Sequence, residues 1–96
     1  MIVEISVISI GVSESQSEYV SEVVRLLKER GIKFAVNPMG TVLEVNNFKE
    51  LADLLDEAVK RLESKGVPRV YIAIKADWRK RGKSMEEKVK SVLEKI

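Results

Sequence analysis

A ferredoxin-like α+β sandwich is the fold this 96-residue sequence predicts: a four-stranded antiparallel sheet in the order 4-1-3-2, two crossover helices on one face, and a further helix at the C-terminus. Three observations carry that expectation. Apolar residues alternate at period two in four short stretches and recur at helical spacing in three longer ones. The stretches follow one another as β-α-β-β-α-β-α, and the first six are the split βαβ order. Each helical stretch begins at a polar residue followed three positions on by Glu, the pattern of a capping box. Right-handed crossovers then set the strand order.

In "IVEISVISI", residues 2–10, Val3, Ile5 and Val7 fall on one face of a strand and Glu4, Ser6 and Ile8 on the other. Gly11 opens a serine-rich loop. Ser15 with Glu18 fits a capping box, and the helix that follows buries Val20, Val23, Val24 and Leu27 before stopping at Gly31. "IKFAV", 32–36, is the second strand, with Phe34 and Val36 facing opposite to Lys33 and Ala35. Pro38 and Gly40 supply turn chemistry, and "TVLEV", 41–45, is the third strand.

Asn47 and Glu50 repeat the capping pattern ahead of a helix with Leu51, Leu54, Leu55, Ala58 and Leu62, closed by Gly66. After Pro68, "RVYIAIK" is the fourth strand, with Val70, Ile72 and Ile74 on one face. The basic turn "ADWRKRGK" leads to Ser84 and Glu87, a third capping box, and to a last helix with Met85, Val89, Val92, Leu93 and Ile96. That helix is expected to pack on the same domain, so residues 1–96 read as one ferredoxin-like domain.

Composition removes several function classes. There is no Cys and no His, which excludes disulfides, thiolate chemistry, imidazole bases and the usual zinc ligands. The chain is 45% apolar, which argues against disorder, but holds no run long enough for a membrane span. The first ten residues include Glu4 and lack a basic start, unlike a signal peptide, and a cytoplasmic location is expected. Seventeen basic and fifteen acidic residues leave a net charge of +2, too balanced to imply nucleic acid.

With both crossover helices on one side, Val3, Ile5, Val7, Phe34, Val36, Leu43, Val45, Val70, Ile72 and Ile74 are expected to fill the covered face of the sheet. The open face carries a charged end, with Glu4, Lys33, Glu44 and Lys75, and an apolar end, with Ile8, Ile10, Val42 and Tyr71 beside Asn37 and Gly40. Cross-strand ion pairs Glu4–Lys75 and Glu44–Lys33 account for the charged end. Self-association would cover the apolar end, and Glu44, Ser6 and Asn37 would then need partners that a ligand can supply.

Ser13, Ser15 and Ser17 precede a helix, but without a glycine-rich cradle or a Lys-Ser/Thr pair they are caps rather than a phosphate loop. The basic 75–83 turn with Trp78 offers only a thin platform for RNA or phosphate. Asp77 and Arg79 are expected to pair with each other or with a neighbouring subunit. Asp53, Asp56 and Glu57 read as a solvated helix face without calcium-loop geometry. No nucleophile–base constellation is visible, so neither an enzyme nor a resident metal or cofactor is expected.

Taken in order, "SQSEYVSEVV", "NPMGTVLE" and "IKADWRKRGKSMEEKVKSV" resemble the small thiamine-binding protein family, over nearly the whole chain. The pieces that carry most of the likeness are Pro38-Met39-Gly40-Thr41 with Glu44, and Lys75, Asp77 and Arg79 followed by Met85-Glu86-Glu87-Lys88-Val89. Asn37, Val45 and Trp78 depart from the Thr, Gly and Asp expected there. The resemblance implies a cytoplasmic homo-oligomer, a dimer or tetramer, that binds thiamine or its hydroxymethylpyrimidine portion without catalysis.

An aminopyrimidine needs an acceptor such as Glu44 and donors or hydroxyls such as Ser6, Asn37 and Thr41. Met39, next to Gly40, offers an adaptable wall, and Glu4 or the Tyr71 ring would suit a thiazolium cation. Alternation points Thr41 towards the helices or the hairpin rim. Glu44 stands open between two roles, partner of Lys33 and pyrimidine acceptor. A scaffold that only self-associates is the alternative from a different class.

Overall fold

The computed structural model describes all 96 residues. Its elements are β1 (Ile2–Ile10), α1 (Ser17–Glu29), β2 (Phe34–Asn37), β3 (Gly40–Glu44), α2 (Phe48–Ser64), β4 (Arg69–Asp77) and α3 (Met85–Leu93). The sheet runs β2-β3-β1-β4, antiparallel throughout, which is the expected order read from the other edge. No helix is long and apolar enough to cross a membrane.

The core lies between α1, α2 and the middle strands. Val3, Ile5, Leu43 and Val45 from the sheet meet Tyr19, Val23, Leu26, Leu27, Leu51, Leu54, Ala58 and Leu62 from the helices, and all are buried. The expected covered face is correct in sense but fades towards the edges. Val36 on β2 and Ile74 on β4 are 55% and 49% exposed, because the two helices sit over β1 and β3 and leave the outer strands half covered. The α1 stripe is also displaced: Tyr19, Val23, Leu26 and Leu27 are buried, while Val20 and Val24 are only half-buried. Across the solvent side of the two helices, Arg61 of α2 bonds Glu29 of α1 at 2.7 Å and Lys65 reaches Glu18 and Glu22.

Both crossover helices end alike. Gly31, at φ +66°, donates to the Lys28 carbonyl while Ile32 N–H reaches the Leu27 carbonyl. Gly66, at φ +87°, and Val67 do the same to Glu63 and Leu62. This is the Schellman closure, which needs a left-handed residue and anchors an apolar one just beyond it. It consumes Ile32, so β2 starts at Phe34 rather than at residue 32 as expected.

Two of the three expected caps form. Asn47 Oδ1 accepts from Glu50 N–H at 2.8 Å, although the Glu50 carboxylate turns back to Asn46 rather than to Asn47. Ser84 Oγ accepts from Glu87 N–H at 3.1 Å. The first cap is a correction: Gln16, not Ser15, precedes α1, and no side chain caps that helix. The Ser15 hydroxyl pairs with Ser17 instead, and Gln16 uses its amide elsewhere.

The third helix departs furthest from expectation. α3 buries none of its residues, and Val89, Val92, Leu93 and Ile96 are 58%, 61%, 59% and 94% exposed. It is held by polar contacts to the open face of the sheet rather than by an apolar seam.

Candidate functional site

Opposed residues in an antiparallel pair share a face, so the register sorts the open face into rows. Lys33, Glu44, Ile2 and Asp77 form one row; Ala35, Val42, Glu4 and Lys75 the next; Asn37, Gly40, Ser6 and Ala73 the third. Ile8 and Tyr71 follow, on β1 and β4 alone. Val42 therefore belongs with the charged row rather than with Ile8 and Tyr71 as expected. Both expected ion pairs are present, Glu4–Lys75 and Glu44–Lys33, each at 3.8 Å.

α3 occupies the charged end. Met85 N–H, at the start of that helix, donates to Glu44 Oε1 at 2.5 Å, where a carboxylate also meets the helix dipole favourably. Lys33 makes its tighter contact with Glu86, at 2.5 Å, and Lys88 bonds Asp77. The Lys33 ammonium holds the Glu86 carboxyl below its usual range and is itself raised by the same bond, and Lys88 lowers Asp77 likewise. Asp77 is thus paired with Lys88, not with Arg79 as one expectation had it.

The other end is different. A cavity of about 270 Å³ opens beside the hairpin tip, lined by Asn37, Pro38, Met39, Gly40 and Thr41, by Ile5 to Ile8 of β1, and by Gln16, Val20 and Val23. None of these residues is charged. Four consecutive strand residues alternate between faces, so a cavity touching all of Ile5, Ser6, Val7 and Ile8 must lie against the edge of the strand. The reason is strand length: β1 has nine residues and β3 five, and their pairing stops at Ile5–Thr41. Beyond it the hairpin turns away and α1 closes the gap.

Gln16 holds that gap open at its far side. Its Oε1 accepts from Ser9 N–H at 2.9 Å, and its Nε2 donates to the Ser9 carbonyl at 3.0 Å and to the Ser13 carbonyl at 3.3 Å. The amide therefore pairs with β1 as a residue of a neighbouring strand would. Met39, 87% exposed, stands at the mouth. A methyl at Gly40 would come within 3.1 Å of the Ile5 carbonyl and 3.3 Å of the Glu4 side chain, so a larger residue there would press the hairpin a few tenths of an ångström off the strand. The same distances set the Glu4 side chain beside Gly40, although Glu4 itself does not line the cavity and its carboxylate pairs with Lys75.

Of the residues singled out from the sequence, Ser6, Asn37, Met39, Gly40 and Thr41 come together at this cavity. Thr41 is buried on the covered side, opposite Ile5, as its alternation predicted. Glu44 lies at the other end of the sheet under α3, and Tyr71 is 54% exposed across β1, opposite Ile8. Gln16, Val7, Val20 and Val23 were not foreseen. The unequal lengths of the first and third apolar runs were the one available sign of an unpaired strand edge.

A family model described as "Thiamine-binding protein" matches residues 3–93. A UPF0045 protein of Methanothermobacter thermautotrophicus is 36% identical over 95 residues, spanning 97% of this chain and 96% of that one. Among solved structures, a hypothetical protein of Methanocaldococcus jannaschii superposes with a TM-score of 0.82 at 30% identity, over 97% of this chain and 95% of the other. A candidate thiamine biosynthesis/salvage protein of Thermotoga maritima gives 0.79 at 26% identity, over 95% and 96%.

Proposed function

This chain belongs to the thiamine-binding protein family, and we propose that it is a small-molecule binding protein that takes thiamine, or its hydroxymethylpyrimidine portion, in the cavity at the hairpin tip. The observation that carries the reading is the convergence of Ser6, Asn37, Gly40 and Thr41 on one uncharged cavity with apolar walls. Few placed polar groups on an apolar lining are what orient a small ligand. At about 270 Å³ the space has room for the substituted pyrimidine ring. The thiazolium would then lie at the mouth, beside Met39, with the Glu4 side chain next to Gly40 as the nearest carboxylate for its charge. The Thermotoga relative's description as a candidate thiamine biosynthesis/salvage protein supports the same ligand class. On this reading the protein binds and releases without catalysing a reaction.

Self-association is the second part of the proposal. Val89, Val92 and Leu93 of α3, with Ile96 beyond its end, form an apolar stripe that its own chain does not cover, and such patches favour burial against a partner. A second copy placed on α3 and the open face would bring the cavity to or near a subunit interface. Residues 1–96 would then act as a homo-oligomer in the cytoplasm.

Isothermal titration with thiamine and, separately, with hydroxymethylpyrimidine tests the first part, with mass by light scattering on the same sample for the second. Saturable binding of either compound is the expected result. No heat with either, from a folded oligomer, would leave the scaffold reading in its place.

A further inference from the structure

The hydrogen-bond phase of β1 turns two main-chain polar groups towards the cavity. Met1 and Val45 exchange bonds, the terminal ammonium to the Val45 carbonyl at 2.9 Å and Val45 N–H to the Met1 carbonyl at 3.0 Å. In an antiparallel ladder the same side of a strand is used by every second residue. Val3, opposite Leu43, and Ile5, opposite Thr41, therefore turn their N–H and C=O towards β3 as well. At the far end, Ser9 turns both groups the same way, into the amide of Gln16.

Val7 lies between them. Its N–H and C=O point to the β3 side at the level where β3 has already ended and where Gln16 does not reach. On the other side Val7 opposes Ile72, but there the even-numbered residues carry the ladder bonds. The cavity lies against this unpaired stretch of strand edge and is lined by Val7 itself.

We infer that the peptide N–H and C=O of Val7 form the donor–acceptor pair that reads the amidine edge of an aminopyrimidine, the ring nitrogen accepting from the N–H and the exocyclic amino group donating to the C=O. One residue of an antiparallel strand presents these two groups side by side, spaced to meet an acceptor and a donor on a partner. A ring nitrogen beside an amino group is such a partner in a single plane. Backbone groups covered without a mate are costly, so a ligand that closes the cavity must supply both partners, as the missing strand would have done. Ser6, Asn37 and Thr41 then fix the ring's other substituents, and the specificity for an amino rather than an alkyl group resides in the main chain.

The inference rests on the reading that the cavity takes the pyrimidine, and the test separates the two. In the full-length protein, α-hydroxyisovaleric acid replaces Val7, so that an ester oxygen stands where the N–H was. Because that N–H lies outside the ladder, the variant is expected to fold, and to bind 4-amino-5-hydroxymethyl-2-methylpyrimidine at least roughly tenfold more weakly. The unmodified protein is expected to lose a similar factor with the probe whose 4-amino group is replaced by methyl.

An ester variant that binds the aminopyrimidine as tightly as the parent overturns the inference and leaves the cavity assignment standing. So does equal affinity of the unmodified protein for the two probes, a result that does not depend on the ester variant folding. An unmodified protein that takes up neither thiamine nor the aminopyrimidine overturns both.

Discussion

The two ends of the open sheet face start from the same sequence pattern and finish differently. At the Glu44 end, polar residues between apolar ones are fully engaged: Glu44 with Met85 N–H, Lys33 with Glu86, Asp77 with Lys88. At the Ser6 end, β3 stops, the hairpin turns away, and an uncharged cavity remains beside an unpaired strand edge. A polar residue inside a strand is therefore not by itself a sign of a ligand. What separates the ends is whether the chain supplies the partner. α3 supplies it at one end, and at the other a bound molecule would have to.

The largest expected effect comes from filling the cavity. Val20 is half-buried on α1 and lines the space, so Val20→Trp should lower pyrimidine affinity by roughly a hundredfold or more while the melting temperature moves little. Titration beside a thermal melt checks this, and unchanged affinity would place the site elsewhere. Gln16→Leu comes next. It leaves Ser9 N–H and C=O without partners, and chemical denaturation should show a loss of about 1–3 kcal/mol. A loss as large from Ser15→Ala would mean that the cap, not the clamp, holds this loop.

Smaller effects sharpen the contrast. Asn37→Ala should weaken binding by about tenfold or less, the value of one neutral hydrogen bond, with no change in stability. Glu44→Gln should loosen α3 and leave the ligand affinity within roughly twofold, because its carboxylate serves the helix end. Loss of binding in that variant would restore the pyrimidine-acceptor role.

The smallest effect is on pH. Asp77 and Glu86 have lowered pKa values in the folded chain, from Lys88 and Lys33 respectively. Their contribution to docking α3 is complete above the ordinary carboxylate range and disappears as pH falls through the lowered values. Lys33, raised by Glu86, loses its contribution only as pH rises through a value above that of an ordinary lysine. Protection factors in Met85–Leu93, taken relative to the intrinsic exchange rate at each pH, should therefore stay constant around neutrality and fall below about pH 4, while those of β1 hold.

Much of the fold was legible because periodicity is a local signal. Alternation in 2–10 and the 3.6 spacing from Leu51 to Leu62 each name an element and its buried face, and crossover handedness does the rest. That the hairpin residues would cluster was legible too, since Asn37 to Thr41 are adjacent in sequence and line one cavity. What escaped was non-periodic. The Gln16 bonds to Ser9 cross a loop and leave no pattern, and a serine-rich stretch drew the cap to Ser15 instead. The docking of α3 depends on single charges thirty and more residues apart in the chain, Glu44 with Met85 and Lys33 with Glu86. Alternation also assigns side chains to faces and is silent about where a ladder stops, so a cavity beside the edge of β1 could be inferred only from unequal strand lengths.

The central claim is that the ligand site is the hairpin-tip end of the sheet and not the Glu44 end. Titrating hydroxymethylpyrimidine into isotopically labelled protein and following backbone amide shifts by NMR tests it most directly. The account predicts shifts at Ser6 to Ile8, Gln16, Asn37 and Met39 to Thr41, largest at Val7, with Lys33, Glu44 and Met85 unmoved. Shifts centred on Lys33, Glu44 and the start of α3, with Val7 silent, would contradict it.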